Sequence, residues 1–334
     1  MFNWKKSNLK KYFAGILSVF VLFFGLFILV NLGDVDTAEA APVQEHFVIA
    51  TASVGGTWYL VGAGLSMIID KATPNIDVKA IISAGSMGNV RMVDSGEVES
   101  GFCASDPAWS AYNGLPPFDK KLENFRVITK LYPGPLHIIV LDDSKIKSIY
   151  DLKGKKVAVG PANGGAIKVL QTILPYFNMS FDDFKPIYID YQESADMVGD
   201  GLVDAAAISA GIPLQALEQL QTRRKVRLIS IEKDIAAKIV KGEPLYDELI
   251  IPKETYGLES DTLMTANRDL FIVNKDVSDE TVYEITKAIF ENLADVYKVH
   301  PATSWIKLED AVSDIFPMHP GAMKYYKEKG IVKE

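Results

Sequence analysis

The chain has 334 residues, 48% of them hydrophobic and 23% charged, with a formal net charge of -8. That length accommodates two domains of ordinary size. An acidic balance without a basic block in the body of the chain excludes a nucleic-acid binder, which must cluster Lys and Arg against phosphates, and a single cysteine, Cys103, excludes an intramolecular disulfide.

At the amino terminus, Lys5, Lys6, Lys10 and Lys11 precede an uncharged stretch over 12–32, and Asp34, Asp36 and Glu39 follow it. Lysines before and acids after an apolar run place the rest of the chain outside the cytoplasm. Ala38-Glu39-Ala40 has the small-x-small form of a cleavage site, yet a run of about 21 residues is also long enough to span a bilayer. Residues 1–40 therefore read as a signal peptide or a retained membrane anchor. The remainder is expected in the periplasm or on the outer face of the cytoplasmic membrane.

From residue 46 short β-type runs alternate with helical patterns. A strand over 46–50 leads through Ser53-Val54-Gly55-Gly56 into a helix over 57–71, which carries Leu60, Leu65, Ile68 and Ile69 toward a core. Strands over 78–82 and 101–104 follow, each with a helix after it. A strand pair over 126–131 and 137–141 is separated by Tyr132-Pro133-Gly134-Pro135, which reads as a rigid kink. A second series has strands over 157–159, 186–189, 205–208 and 227–231, with helices over 165–177 and 192–200 between them. A strand over 269–273 and one helix over 279–299 lead into the amphipathic tail. Such alternation predicts an α/β architecture of two lobes, each a mostly parallel sheet flanked by helices. Lobe I is expected over 45–138 and 262–334, and lobe II over 139–261. Ligands of such folds bind over helix amino termini at the carboxyl ends of strands.

Enzyme motifs are missing: there is no HExxH, Walker-type loop, GxSxG elbow or GxGxxG after a strand. His46, His137, His300 and His319 are scattered without metal-ligand spacing. Cys103, within Gly101-Phe102-Cys103-Ala104, reads as a buried structural thiol. No catalytic residue, metal or cofactor is expected.

Four short loops between strand and helix carry the binding expectation instead. The first supplies Gly55, Gly56, Thr57, Trp58 and Tyr59, and the second Ser86, Met87 and Asn89. The third supplies Ser105 and Asp106, and the fourth Asn163, Gly164, Gly165 and Ala166. Each can offer free backbone N–H groups at a helix start, where the dipole favours an anion. One such loop alone reads as an N-cap or turn; four across both lobes favour a shared cleft. Trp58 and Tyr59 read either as core or as an aromatic wall, and Tyr132 either reaches the ligand or packs at the hinge.

These residues resemble the TAXI family of TRAP-transporter substrate-binding proteins. The resemblance lies in Gly55-Gly56-Thr57-Trp58-Tyr59, Gly85-Ser86-Met87-Gly88-Asn89 and Leu131-Tyr132-Pro133. It continues in Asp151-Leu152-Lys153-Gly154-Lys155, Ile208-Ser209-Ala210-Gly211-Ile212-Pro213, His300-Pro301-Ala302 and His319-Pro320-Gly321-Ala322-Met323. It implies a type II periplasmic-binding-protein fold, Ser209 beside the ligand, and delivery to an ion-gradient-driven TRAP-type integral membrane subunit. The solute it implies is small and anionic or zwitterionic, such as a dicarboxylate, keto acid or glutamate, and the receptor is expected as a monomer. The family often has Tyr-Tyr-Pro where this chain has Trp58-Tyr59-Leu60, and no arginine falls within the four loops, so neutral donors must recognise the ligand. Two alternatives stand beside this reading: the receptor of an ABC importer or sensor system, and an enzyme on the same bilobal scaffold.

Export is testable directly. Residues 1–45 fused to a reporter that is active only outside the cytoplasm should give activity; a fusion active solely inside would overturn the localisation.

Overall fold

Residues 45–333, which the computed structural model describes, form ten strands and eleven α-helices. The segment read as a signal peptide or anchor lies outside the described residues; among those described, no helix is long and apolar enough to cross a membrane. In chain order the elements are β1 (Glu45–Ala50), α1 (Thr57–Ala72), β2 (Ile76–Ile81), α2 (Ser86–Ser95), β3 (Ser100–Ala104), α3 (Ser105–Asn113) and β4 (Phe125–Leu141). Then come β5 (Lys156–Ala158), α4 (Gly165–Ile173), β6 (Lys185–Ile187), α5 (Tyr191–Gly199), β7 (Ala205–Ser209), α6 (Gln215–Gln221), β8 (Val226–Leu228) and α7 (Lys233–Gly242). The chain ends with β9 (Tyr246–Ile251), α8 (Lys253–Tyr256), β10 (Thr262–Asn274), α9 (Asp279–Glu291), α10 (Leu293–Val299) and α11 (Pro320–Glu328).

The strands run in the order β2-β1-β3-β10-β4-β7-β5-β6, with β9 on β10 and β8 on β4. Two sheets share β4. The β/α units pair in parallel, β1 with β2 and β3, and β5 with β6 and β7. β10 is antiparallel to β3, β4 and β9, and β4 is antiparallel to β7 and β8. The result is the two-lobed α/β architecture, with mixed sheets because two long strands return against the others.

β4 corrects the expected kink. Tyr132-Pro133-Gly134-Pro135 continues one 17-residue strand. Pro133 and Pro135 still face β10, opposite Arg268 and Ala266, whereas from Leu136 onward the partner is β7. The prolines are tolerated because they stand where one ladder gives way to the next. The expected helix over 279–299 also divides. The Asn292 Nδ2 donates to the Ala288 carbonyl at 2.8 Å, a side-chain bond that competes with the helical ladder, and α10 starts afresh beyond it.

Two apolar clusters hold the layers. One packs α1, through Val61, Leu65 and Ile69, with Ile285 and Ile289 of α9 and Tyr325 and Tyr326 of α11 on one face of the first sheet. The other runs without interruption from Val90 and Val93 of α2 through Ile138 and Ile139 of β4 to Leu170 of α4. Two of the histidines serve the backbone. His300 and His319 accept N–H bonds at helix starts, at 3.1 and 3.2 Å, and His137 lies 2.9 Å from the Tyr256 hydroxyl, its pKa pushed down to about 4 by burial.

Cys103 is fully buried, with Sγ against the Ser86 and Ala104 carbonyls, and burial pushes its thiol far up. The native chain should resist alkylation by iodoacetamide, and Cys103→Ala should cost about 1 kcal/mol in denaturant unfolding. Rapid labelling of the folded protein would contradict this placement.

Candidate functional site

Four helices start at residues that cannot cap them. The N-cap residues are Gly56 for α1, Gly85 for α2, Ala104 for α3 and Gly164 for α4, and none of the four helices has a side-chain cap bond. Their first-turn N–H groups are left to other partners, and each helix end carries partial positive charge. Gly56, Gly85, Ala104 and Gly165 line a single cavity. It measures about 20 Å³ within about 390 Å³ of atom-free space that includes its mouth.

Glycine is required at two of these positions. Gly85 has φ +95°, which L side chains rarely adopt, and a Cβ on Gly165 would lie 2.8 Å from Ser86 Oγ. Thr57, Trp58 and Ser209 complete the expected part of the wall. Ser86 Oγ accepts from the Ala104 N–H at 3.1 Å, and Thr57 Oγ1 donates to the Gly211 carbonyl at 2.7 Å. No Lys, Arg, His, Asp or Glu lines the cavity.

The remaining expected residues fall elsewhere. Gly55 packs on Gln192, where an added Cβ would meet the backbone at 2.8 Å. Tyr59 is half-buried along α1 outside the wall, and Met87 is core. Asn89 is a fold residue: its Nδ2 donates to the carbonyls of Ala50, Thr51 and Phe102 at 3.1, 2.8 and 2.7 Å, pinning α2 to the ends of β1 and β3. Ser105 is buried behind the wall. Tyr132 is fully buried against Gly211. Ala166 stands one residue past the wall, and its N–H, with that of Ser209, approaches the Tyr191 hydroxyl.

Asp106 and Asn163 tie the two sides of the cleft together. Asp106 Oδ2 accepts from the Thr172 hydroxyl of α4 at 2.8 Å and from the Tyr246 hydroxyl of β9 at 2.6 Å, with Lys168 Nζ 3.5 Å from its other oxygen. Asn163 acts through its main chain: its carbonyl accepts from the Met87 and Gly88 N–H groups at 3.1 and 3.3 Å, taking the place of a cap on α2. Val54 accepts from the Gln192 N–H, and Gly55 from the Ala216 N–H, at 3.1 and 3.2 Å.

Wall residues absent from the expected set are Ala52, Ser53, Ala84, Gly85, Ala104, Tyr191 and Ala210. Most belong to the loops already singled out. Tyr191 was signalled only by its place at a strand-to-helix junction. Behind the wall stands Asp269, 2% exposed, accepting from the Trp58 indole at 2.7 Å. Burial pushes its carboxyl up to about 8, against the smaller pull of the Trp58 bond and the Arg268 charge. In the sequence it stood only at the start of the strand expected over 269–273, a position without a signal of its own.

A family model described as the NMT1-like family matches residues 49–330. The chain belongs to the NMT1-like family. Among solved structures, this NMT1-like chain is similar to a binding protein component of an ABC phosphonate transporter from Pseudomonas aeruginosa. The TM-score is 0.52 at 15% identity, over 81% of this chain and 82% of that one. A protein from Bordetella bronchiseptica RB50 is similar at TM-score 0.52 and 16% identity, over 86% of this chain and 81% of that one. These likenesses show a periplasmic-binding-protein-like fold for the NMT1-like chain.

Ser86 and Asn163 make a contrast that denaturant unfolding can read. Ser86→Ala orphans the buried Ala104 N–H and should cost about 1–3 kcal/mol. Asn163→Ala leaves the capping carbonyl in place and should cost less than about 0.5 kcal/mol. Equal losses would contradict the main-chain role assigned to Asn163.

Proposed function

We propose that this protein is an extracytoplasmic solute-binding receptor of a membrane transporter, and that it captures a small anionic or zwitterionic solute between two lobes. One observation carries the reading: four helix starts without a side-chain cap, supplied from both sides of the cleft, converge on one cavity without a charged side chain in its wall, the α2 start being met in part by the Asn163 carbonyl. Backbone N–H groups aligned by helix dipoles form a fixed anion site that needs no guanidinium. We take residues 45–138 with 262–334 as one lobe and 139–261 as the other, closing about β4 and β10 by hinge bending. The wall residues Gly56, Thr57, Trp58, Ser86, Gly165 and Ser209, with Tyr191, are the proposed ligand contacts.

For the membrane partner we favour an ABC-type importer, because the similar protein from Pseudomonas aeruginosa is a component of one. The TAXI-like motifs of the sequence support the second reading, a TRAP-type integral membrane subunit. Uptake in vesicles containing receptor and membrane subunit separates the two: ATP drives the first and an ion gradient the second.

A thermal-shift screen of the full chain tests the receptor reading itself. The probes are succinate, 2-oxoglutarate, L-glutamate and methylphosphonate. A ligand at about 100 times its Kd adds about 2.7 kcal/mol, which raises Tm by several degrees in a chain of this size. A folded chain whose Tm none of the four raises would count against an anion receptor.

A further inference from the structure

We infer that Asp269 is a specificity-determining residue of the cavity: set behind the Trp58 wall, its carboxyl admits an anionic solute while it holds a proton and excludes one when ionised. This rests on the reading of the cavity as an anion site.

The geometry places this acid beside the helix starts. Asp269 accepts from Trp58, whose side chain belongs to the wall, and its register partner on β3 is Ala104, the N-cap residue of α3 and another wall residue. Antiparallel partners have Cα atoms about 4.5–5.5 Å apart, so the carboxyl is one side chain removed from the cavity. On its other side it lies over Gly134 of β4, where an added Cβ would come within 2.8 Å of Oδ1. A glycine at that point makes room for the carboxyl.

Little nearby compensates a negative charge there. Facing Asp269 are Trp58 from α1, Cys103 from β3, Tyr132 from β4 and Tyr191 from α5, with Arg268 on its own strand. The thiol and both phenols are pushed upward by burial and stay neutral. Arg268 is the one cation of this set, and its guanidinium turns to the Leu131 carbonyl at 3.4 Å. The indole N–H and the Arg268 charge favour the ionised form, and burial outweighs both. Near neutral pH the acid therefore holds its proton and the cavity is free of negative charge. Once ionised, it would stand close to a bound anion in a poorly screened interior, where like charges repel strongly.

Proton linkage gives the size and sign of the effect. With a pKa of about 8, the protonated fraction falls about tenfold between pH 7 and pH 9. If only that form binds an anion, the affinity falls by the same factor. Succinate and 2-oxoglutarate keep constant charge over this interval, and so do the two carboxylates of L-glutamate.

Titration calorimetry of the full chain at pH 7 and pH 9 tests this, with whichever of those three raises Tm in the screen. Wild type should bind about tenfold more weakly at pH 9, while Asp269→Asn, which keeps an oxygen for the indole, should change by less than about twofold. Loss of the same factor in both proteins, or in neither, overturns the proposal. Where Asp269→Asn does not fold, Trp58→Phe serves instead. Removing the indole bond raises the carboxyl pKa, so the fall in affinity should move to higher pH, and an unmoved fall overturns the inference. A second arm needs no solute: tryptophan emission of the free chain should show a transition near pH 8 that Trp58→Phe lacks. Its absence in wild type sinks the role of Asp269, whereas its presence with no bound probe counts only against the receptor reading.

Discussion

A backbone N–H in the first turn of a helix needs an acceptor, and α1, α2, α3 and α4 begin at residues that have no side-chain acceptor to offer. A Ser or Asp at each start would be the ordinary remedy. Placing glycine or alanine there leaves a ring of donors that must be satisfied from elsewhere. For α2 the acceptor is the Asn163 carbonyl from across the cleft. That carbonyl completes the start of α2, and beside it stand Gly165 bare against Ser86, Gly85 left-handed, and Asp106 accepting hydroxyls from α4 and β9. Not every buried polar atom is paired: Asn89 Oδ1, Ser105 Oγ and the Tyr132 hydroxyl have no partner among the described residues.

The apolar interior is arranged to serve the same end. The larger cluster does not stop at the cleft but passes under it, from α2 through β4 to α4. Two wall residues, Tyr191 and Ala210, belong to this cluster. Asn89 shows the precision this gives: one amide nitrogen holds three carbonyls at the ends of β1 and β3, which sets where α2 begins.

The loops were legible in the sequence because their chemistry is local. Gly55-Gly56, Gly85-Ser86 and Gly164-Gly165 mark strand-to-helix turns in any context. Which member of a loop faces the cavity was not legible, since Met87 and Asn89 share the polar neighbourhood of Ser86 and differ from it only in direction along α2. Asp106 read as a ligand contact because its partners, Thr172 and Tyr246, are 66 and 140 residues away in the chain. Such separations have no local signature. β9 was missed for the opposite reason: Tyr246–Ile251 carries two acids and half-exposed positions, and it becomes a strand only because β10 offers an edge. The two-lobed plan was legible from the alternation of strand and helix, while the antiparallel return of β10 needed the fold.

Pro133 and Pro135 have a mechanical consequence. A strand that belongs to two sheets would normally transmit any tilt of one into the other, since its N–H groups tie it on each side. At the changeover this strand has two residues with no N–H at all. A bend concentrated there ruptures fewer ladder bonds than a bend anywhere else along the strand, so the seam between the sheets can behave as a pivot while each sheet stays stiff.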